Sequence, residues 1–243
     1  MDEQFKQSIT PTAVPDHHYD AGLGEPEDVQ RMLMMYTGVI REVKTKLEVL
    51  NDELNIKNQR NPIEFIETRV KTPHSIAAKL KRRNLPVTIE SAQDNLNDIA
   101  GIRVICSFVD DIYDVTEMLV KQDDVRLLEV KDYIKNPKPN GYRSLHIIVE
   151  IPVFFSDHKR FLRAEVQVRT IAMDFWASLE HDLRYKRELP SADVIQKELK
   201  SCADTIADTD LRMMDLRDRI ESMDQEQEQD QERPKGIRDV WHS

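Results

Sequence analysis

Apolar residues recur along this chain with two different periods, which predict long helices at both ends and strands between them. Over residues 27–57 the apolar positions alternate steps of three and four, as on one face of an amphipathic helix. The pattern over 171–186 predicts a second helix, and the pattern over 191–223, beyond Pro190, predicts a third. The stripe of the first helix consists of Val29, Leu33, Tyr36, Ile40, Val43, Leu47, Leu50 and Leu54.

Shorter patterns fill the middle of the chain. Residues 73–83 and 110–121 predict two short helices. Alternating apolar and polar side chains predict four strands, at 102–108, 125–132, 145–151 and 162–169. We therefore place the chain in the α+β class, with a central mixed β-sheet flanked by long N- and C-terminal helices. In the helix after the last strand, the spacing predicts core positions for Met173, Trp176, Leu179 and Leu183.

Composition suggests where the domain begins and ends. Residues 1–25 mix proline, glycine and polar groups without a period, which predicts a flexible N-terminal tail. Residues 26–223 are then a single domain that includes its flanking helices. Residues 224–243 begin with a Gln/Glu/Asp repeat, which predicts a disordered C-terminal tail.

Overall charge and cysteine usage narrow the function classes. The chain has 243 residues, 40% of them hydrophobic, and a net charge of -10, which argues against nucleic acid as a partner across the whole surface. Cys106 and Cys202 fit buried free thiols better than a disulfide. No apolar run reaches membrane-spanning length and no secretory signal opens the chain, so we expect a cytoplasmic protein without a membrane partner.

Basic residues concentrate in residues 57–83, where eight Lys and Arg side chains stand against two acids. Such a contrast within an acidic chain favours an anion site, with a solvated basic helix as the alternative. Ser75, Lys79 and Arg82 share one helix face, and the apolar residues of this helix share another. A hydroxyl, an ammonium and a guanidinium in line suit a polyphosphate.

Two carboxylates accompany the predicted strands. Asp98 lies just before the first of them, and in the last strand Arg163, Glu165, Gln167 and Arg169 project to one side. Such a row is typical of a solvent-facing sheet surface. Near a basic surface, however, Asp98 and Glu165 also suit Mg²⁺, which takes oxygen ligands and bridges to phosphates. Cations, a metal ion and a carboxylate that accepts a hydroxyl proton are the requirements of phosphoryl-type transfer.

Residues 131–146 place three lysines, an arginine, two tyrosines and a histidine around Pro137, Pro139 and Gly141. Basic groups match the charge of phosphates, and an aromatic ring can stack on a base. Gly141 permits a sharp turn, because glycine adopts backbone angles that other residues resist. A solvated surface turn is the alternative interpretation.

Four motifs, in this order, resemble those of the RelA/SpoT-type alarmone synthetases, which make (p)ppGpp in stringent-response signalling. They are Arg69-Val-Lys-Thr-Pro-His-Ser-Ile-Ala-Ala-Lys-Leu-Lys-Arg-Arg83, Asp98-Ile-Ala-Gly-Ile-Arg103, Gly141-Tyr-Arg-Ser-Leu-His146 and Glu165-Val-Gln-Val-Arg-Thr170. The resemblance covers about residues 61–186 and implies a nucleotidyltransferase-like synthetase fold. The chain looks like a single-domain small alarmone synthetase, and residues 135–142 and 171–181 are similar to the RelP-type branch.

The resemblance implies a GTP pyrophosphokinase with two nucleotide sites. The adenine of ATP would lie between the guanidinium planes of Arg69 and Arg103, and Asp98 and Glu165 would ligate Mg²⁺. Glu165 would also take the proton of the ribose 3′-hydroxyl, which attacks the β-phosphorus of ATP so that pyrophosphate moves and AMP leaves. The ATP phosphates would be held by Lys71, Ser75, Lys79 and Arg82. Among the acceptor contacts, Tyr142 would stack on guanine, Gln167 would orient the GDP or GTP, and the 5′ phosphates would contact Lys131, Lys138 and His146.

The resemblance also concerns assembly and control. It implies a homotetramer, which the long terminal helices favour. RelQ-type relatives are activated by their own product in a central cleft, whose aligned positions here are Glu48, Phe65, Glu67 and Asp174. Three acids there predict repulsion of a multiply charged product. The sequence leaves open the preference among GDP, GTP and GMP.

Three other functions compete with this hypothesis. His181-Asp182 is an HD dipeptide, as in metal-dependent hydrolases, but it lies in a predicted helix without a second histidine cluster, and we interpret it as structural. Pyrophosphate transfer to a tRNA end would need only a local basic patch, although the net charge argues against RNA. A catalytically silent nucleotide-binding regulator is disfavoured by the presence of both Asp98 and Glu165.

Overall fold

A computed structural model of the chain describes residues 21–58, 60–185 and 192–232. The helices of this part are α1 (Pro26–Asn58), α2 (Pro73–Arg82), α3 (Ile89–Asn95), α4 (Val109–Val120), α5 (Ile171–Tyr185) and α6 (Ala192–Glu232). Its strands are β1 (Ile63–Val70), β2 (Ala100–Cys106), β3 (Arg126–Asp132), β4 (Leu145–Phe154) and β5 (Lys159–Thr170). The α+β class predicted from the sequence is confirmed.

The chain divides into two compact units, of which the first comprises the described residues of Met1–Met34 together with Lys71–Leu96. This unit contains α2 and α3. Each helix begins after a threonine, Thr72 or Thr88, whose hydroxyl accepts a hydrogen bond from a backbone N–H of the first turn. The apolar face of α2, which includes Ile76, is buried as predicted.

The second unit comprises Met35–Val70 and the described part of Asn97–Ser243, and it contains the β-sheet. The strands follow the order β1-β2-β5-β4-β3. β2 and β5 run parallel and the other neighbouring pairs run antiparallel, so the sheet is mixed, as predicted. α1 packs on the sheet through Gly38, where an added Cβ would lie only 3.0 Å from Cγ1 of Val153.

Two elements, β1 and α3, are absent from the sequence predictions. β1 lies at the edge of the sheet, and of its eight residues only Ile63 is buried. A strand exposed on both faces has no reason to alternate apolar with polar residues, so the pattern gave no signal. α3 is a single short helix of seven residues, too short for a helical period to stand out.

The C-terminal helix is longer than predicted. α6 continues to Glu232, beyond the predicted helix end at residue 223, and the disordered tail from residue 224 stays a prediction. Glutamine and glutamate favour helices, and the repeat contains no Gly or Pro that would end one. Most of the predicted N-terminal tail and residues 233–243 lie outside the described residues, and the domain limits of 26 and 223 stay a prediction.

Fewer apolar residues of α5 are buried than their spacing predicts. Met173 and Trp176 are buried, as predicted, but Leu179 and Leu183 are 47% and 57% exposed, so the prediction is wrong for these two. They lie in an exposed apolar row at four-residue spacing, called here the α5 stripe: Ile171, Phe175, Leu179 and Leu183.

Both cysteines are free thiols, but only Cys106 is buried, whereas Cys202 is exposed on α6. Within the described residues, no helix combines the length and hydropathy needed to span a membrane.

Candidate active site

The register of the sheet aligns one polar row across all five strands. The row runs through Glu67 on β1, Arg103 on β2, Gln167 on β5, His146 on β4 and Lys131 on β3, each paired with the next. Directly opposite residues in neighbouring strands point to the same face of a sheet, so these five side chains share one face. The row thereby joins an arginine predicted to hold ATP with three residues predicted to hold the acceptor nucleotide.

Asp98 and Glu165 line the same cavity, and Arg69 and Arg103 line it with them. Gly101 lies opposite Arg69 on one side and opposite Glu165 on the other. A Cβ at Gly101 would lie 3.5 Å from Cγ of Arg69, so the glycine faces the side chain of this arginine. The structure therefore brings together the two predicted metal ligands and the two arginines predicted to flank adenine.

The carboxylate of Glu165 is held in its charged form. Nε2 of Gln167 donates to its Oε2 at 2.8 Å, and Nδ1 of His146 lies 3.6 Å from its Oε1. Burial and the nearby charge of Asp98 raise the pKa of Glu165, but His146 and Gln167 lower it by more, so the pKa lies below its ordinary value. A charged Glu165 beside Asp98 suits a cation that both carboxylates could share.

The loop between β3 and β4, called here the acceptor loop, turns sharply at Gly141, as predicted, and the φ of this glycine is 93°. Within this loop, the ring centroid of Tyr142 lies 4.6 Å from Nζ of Lys138. The rings of Tyr133 and His146 meet Tyr142 edge-on, with centroids 6.0 and 5.8 Å away. Three residues predicted to hold GDP or GTP, Lys138, Tyr142 and His146, therefore form one cluster.

Arg169 connects this cluster to the sheet. Its Nη2 donates to the hydroxyl of Tyr142 at 2.6 Å and to Oε1 of Gln167 at 3.0 Å. Because arginine only donates, the hydroxyl oxygen of Tyr142 accepts here, and its own proton is directed to Nε2 of His146, 2.7 Å away. With its Nε2 accepting this proton, His146 carries its own proton on Nδ1, which faces Glu165.

The acids at the aligned product cleft each lie beside a cation. Oε2 of Glu67 accepts a hydrogen bond from Arg103 at 2.9 Å. Oδ1 of Asp174 accepts from Arg169 at 3.0 Å and lies 3.5 Å from Arg103. Glu48 lies 3.6 Å from a lysine ammonium one helical turn away. Their charges are offset, so the repulsion of a bound anion is weaker than the sequence predicts.

The predicted ligands of the ATP phosphates lie in the first unit. Ser75 and Arg82 are exposed, while Lys71 and Lys79 are half-buried. The hydroxyl of Thr72 donates to Oγ of Ser75 at 2.9 Å, as part of the cap of α2. The structure confirms the helix that carries them, and their contact with ATP stays a prediction.

Three residues around the acceptor loop were not predicted as site residues from the sequence. The ring of Tyr133 lies 5.2 Å from that of His146. Arg143 donates to Oδ1 of Asp204 at 3.0 Å, which ties the loop to α6. For Arg169, the alternation of β5 was a usable signal because it places that residue on the polar face. For the other two, only their position in a basic aromatic loop pointed to the site.

Comparison with known proteins identifies relatives of this chain. The family model described as "Region found in RelA / SpoT proteins" matches residues 68–189. GTP pyrophosphokinase YwaC of Bacillus subtilis is 41% identical over 195 residues, which are 80% of this chain and 93% of that protein. The structure of small alarmone synthetase 2 of Bacillus subtilis matches with a TM-score of 0.69 at 41% identity, covering 77% of this chain and 97% of that chain. Small alarmone synthetase 1 of the same organism, bound to its product pppGpp, matches with a TM-score of 0.72 at 33% identity, covering 80% and 99%.

Proposed function

Because the chain belongs to the RelA/SpoT protein family, we propose that it is a GTP pyrophosphokinase that makes (p)ppGpp. It transfers the β,γ-pyrophosphate of ATP to the ribose 3′-hydroxyl of GDP or GTP. The 3′-oxygen forms a bond to the β-phosphorus, the bond from that phosphorus to the oxygen shared with the α-phosphate breaks, and AMP leaves. The product serves in stringent-response signalling.

The observation that carries this proposal is the arrangement of Glu165 between two groups of side chains. On one side lie Arg69 and Arg103, in the cavity that Glu165 lines with Asp98. On the other side lies the acceptor cluster around Tyr142, which reaches Glu165 through hydrogen-bonded neighbours. A base between a donor and an acceptor nucleotide can take the hydroxyl proton as the new bond forms.

The residues at the cavity fit Mg²⁺, the proposed cofactor. Mg²⁺ is commonly held by one or two carboxylates together with water and substrate phosphates, and Asp98 and Glu165 supply two carboxylates. Among the described side chains, no group of three or more His, Cys, Asp or Glu residues could hold a metal ion by itself. The metal would neutralise phosphate charge. Asp98 would hold it, and Glu165 would both hold it and accept the proton.

The acceptor residues have separable tasks in this proposal. Tyr142 stacks on guanine, and Gln167 orients the nucleotide from the adjoining row of the sheet. Lys131, Lys138 and His146 provide charge or hydrogen bonds for the 5′ phosphates. The side chain of Lys131 lies 2.9 Å from Glu129, so a phosphate would compete with that acid for the ammonium.

The proposal also covers the assembly of the protein, its branch of the family and its location. The exposed α5 stripe is a contiguous apolar surface of the kind that protein interfaces cover, which supports a homotetramer. Residues 135–142 and 171–181 support the RelP-type branch. A cytoplasmic location follows from ATP and GTP as substrates. Activation by pppGpp is not expected, because Glu48, Glu67 and Asp174 still place carboxylates at the aligned cleft, two of them paired with arginines.

Product analysis tests the proposed function. The full chain is incubated with Mg²⁺, labelled ATP and either GDP or GTP, and the products are separated by thin-layer chromatography. We expect ppGpp or pppGpp together with an equal amount of AMP, and no product after chelation of the metal. ADP or free phosphate in place of AMP would refute pyrophosphate transfer. AMP formed with tRNA, but not with GDP or GTP, would show that the acceptor is RNA.

A further inference from the structure

Arg169 is a buried cation to which the proposed reaction assigns no task. Its side chain is 6% exposed. Each nitrogen of the guanidinium donates to a side-chain oxygen. The acceptors are Ser144 Oγ from Nε at 3.4 Å, Asp174 Oδ1 from Nη1 at 3.0 Å, and, from Nη2, Tyr142 Oη at 2.6 Å and Gln167 Oε1 at 3.0 Å.

Two of these acceptors belong to the residues that are proposed to bind the acceptor nucleotide. The guanidinium carbon of Arg169 lies 5.1 Å from the ring centroid of Tyr142, so the arginine contacts both the ring and its hydroxyl. The amide of Gln167 could face either way, and a pure donor selects the orientation in which its oxygen points to Arg169. That orientation turns Nε2 of Gln167 towards Glu165. One guanidinium therefore fixes the orientation of both residues.

We propose that Arg169 is a positioning residue for the acceptor nucleotide: it sets the angle of the Tyr142 ring and the orientation of the Gln167 amide. This rests on the proposed function, in which these two residues bind GDP or GTP. Lysine cannot take over the task, because one ammonium lacks the planar fork that serves separate acceptors at fixed angles. Asp174 balances the buried charge and so permits an arginine at this position.

Arg169→Lys in the full chain is the first test. It keeps a charge opposite Asp174 but loses the fork, so the KM for GDP should rise about tenfold, while the KM for ATP should change less than about twofold. Fluorescence anisotropy of a labelled GDP gives the same shift as a Kd, without turnover. Arg217→Lys is the matched control, because Arg217 also stacks on a ring, Phe108 at 4.6 Å, and pairs with Asp110. Both KM values should stay unchanged in that variant.

Tyr142→Phe tests the same contact even if Arg169→Lys does not fold, because it keeps the ring and removes the hydroxyl that Arg169 holds. We expect the KM and Kd for GDP to rise less than in Arg169→Lys. In the double variant the two effects should not add, because both changes break the same hydrogen bond, that between Arg169 and Tyr142. Loss of kcat with unchanged KM and Kd for GDP, or additive effects, would overturn the proposal. If the wild-type chain binds GDP but releases no AMP from ATP, the proposed function fails, and the Kd values of these variants still decide the role of Arg169.

Discussion

Replacement of Glu165 by glutamine tests the proposed base, because the change keeps the size of the side chain and removes its charge. The carboxylate faces two donors, Nε2 of Gln167 at 2.8 Å and Nδ1 of His146 at 3.6 Å. A glutamine has one acceptor oxygen, so its NH₂ group must face the other donor. We expect a loss of stability of about 1.5–3 kcal/mol at most, the contribution of one hydrogen bond to a charged group.

The catalytic effect should exceed the structural one. A positioned general base contributes about 10²–10⁴-fold to the rate, and a domain with a typical stability of about 5–15 kcal/mol stays folded after a loss of the expected size. AMP and ppGpp formed from ATP and GDP give the initial rate, and a thermal melt followed by circular dichroism gives the folded fraction. The variant should therefore remain folded and lose most of its turnover.

Glu150→Gln is the matched control for that experiment. Glu150 is another partly buried acid, on β4, and its carboxylate lies 3.5 Å from Arg126 and 3.9 Å from Arg163. Since it lies outside the cavity, its loss should change turnover less than about twofold while lowering the melting temperature by a few degrees. Turnover of Glu165→Gln within about tenfold of the wild-type rate would contradict the role of Glu165 as the base.

Three more predictions concern the Tyr142 ring, the ion pair of Arg217 with Asp110, and the mass of the assembled protein. Tyr142→Ala should raise the KM for GDP or GTP roughly 5- to 150-fold, the equivalent of losing one base–aromatic stack, and equal effects on both substrates would mean that Tyr142 only shapes the loop. Burial raises the pKa of Asp110, but two hydrogen bonds from Arg217, at 3.0 and 2.6 Å, bring that pKa below its ordinary value. The ion pair therefore stabilises the fold fully at pH values above the ordinary pKa of Asp110. This stabilisation is lost as the pH falls through the lowered pKa of the folded protein. Urea unfolding of Arg217→Gln should show a deficit of about 1 kcal/mol at neutral pH that shrinks in acid, since Asp110 is partly exposed and screened; an equal deficit at both pH values would contradict this. Light scattering should give the mass of a tetramer, Leu179→Glu in the α5 stripe should reduce it, and a wild-type monomer at micromolar concentration would refute the assembly.

The sequence predicted the polar face of β5 because that strand alternates strictly. Ala164, Val166 and Val168 are buried, and Glu165 and Gln167 between them lie on the opposite face. Alternation depends only on the period of the strand, so it can be read from the sequence without knowledge of neighbouring strands. The same period placed Arg169 on this face, but its burial depends on the acceptor loop folding over it, which no local pattern records.

The polar row across the sheet could not be predicted from the sequence, because it depends on strand order and register. β2 pairs with β5, although β3 and β4 lie between them in the chain. The register sets Arg103 opposite Gln167, and a shift by one residue would turn the side chains to the other face. β1, which adds Glu67 and Arg69, lacks any apolar alternation. Arg69 was therefore identified by family resemblance and not by its pattern.

The acceptor loop shows how a basic and aromatic composition becomes a defined site. A Cβ at Gly141 would lie 2.6 Å from Cβ of Ala203 on α6, so the turn and the helix fit only because this position is glycine. On the same helix, the carbonyl of Ala203 and the carboxylate of Asp204 accept hydrogen bonds from Arg143. A loop that is anchored to a helix about sixty residues away holds its ring at lower entropic cost than a free surface turn. The two interpretations that the sequence left open for this segment, a solvated turn and a nucleotide loop, thus differ in their anchors, and the contacts with α6 favour the second.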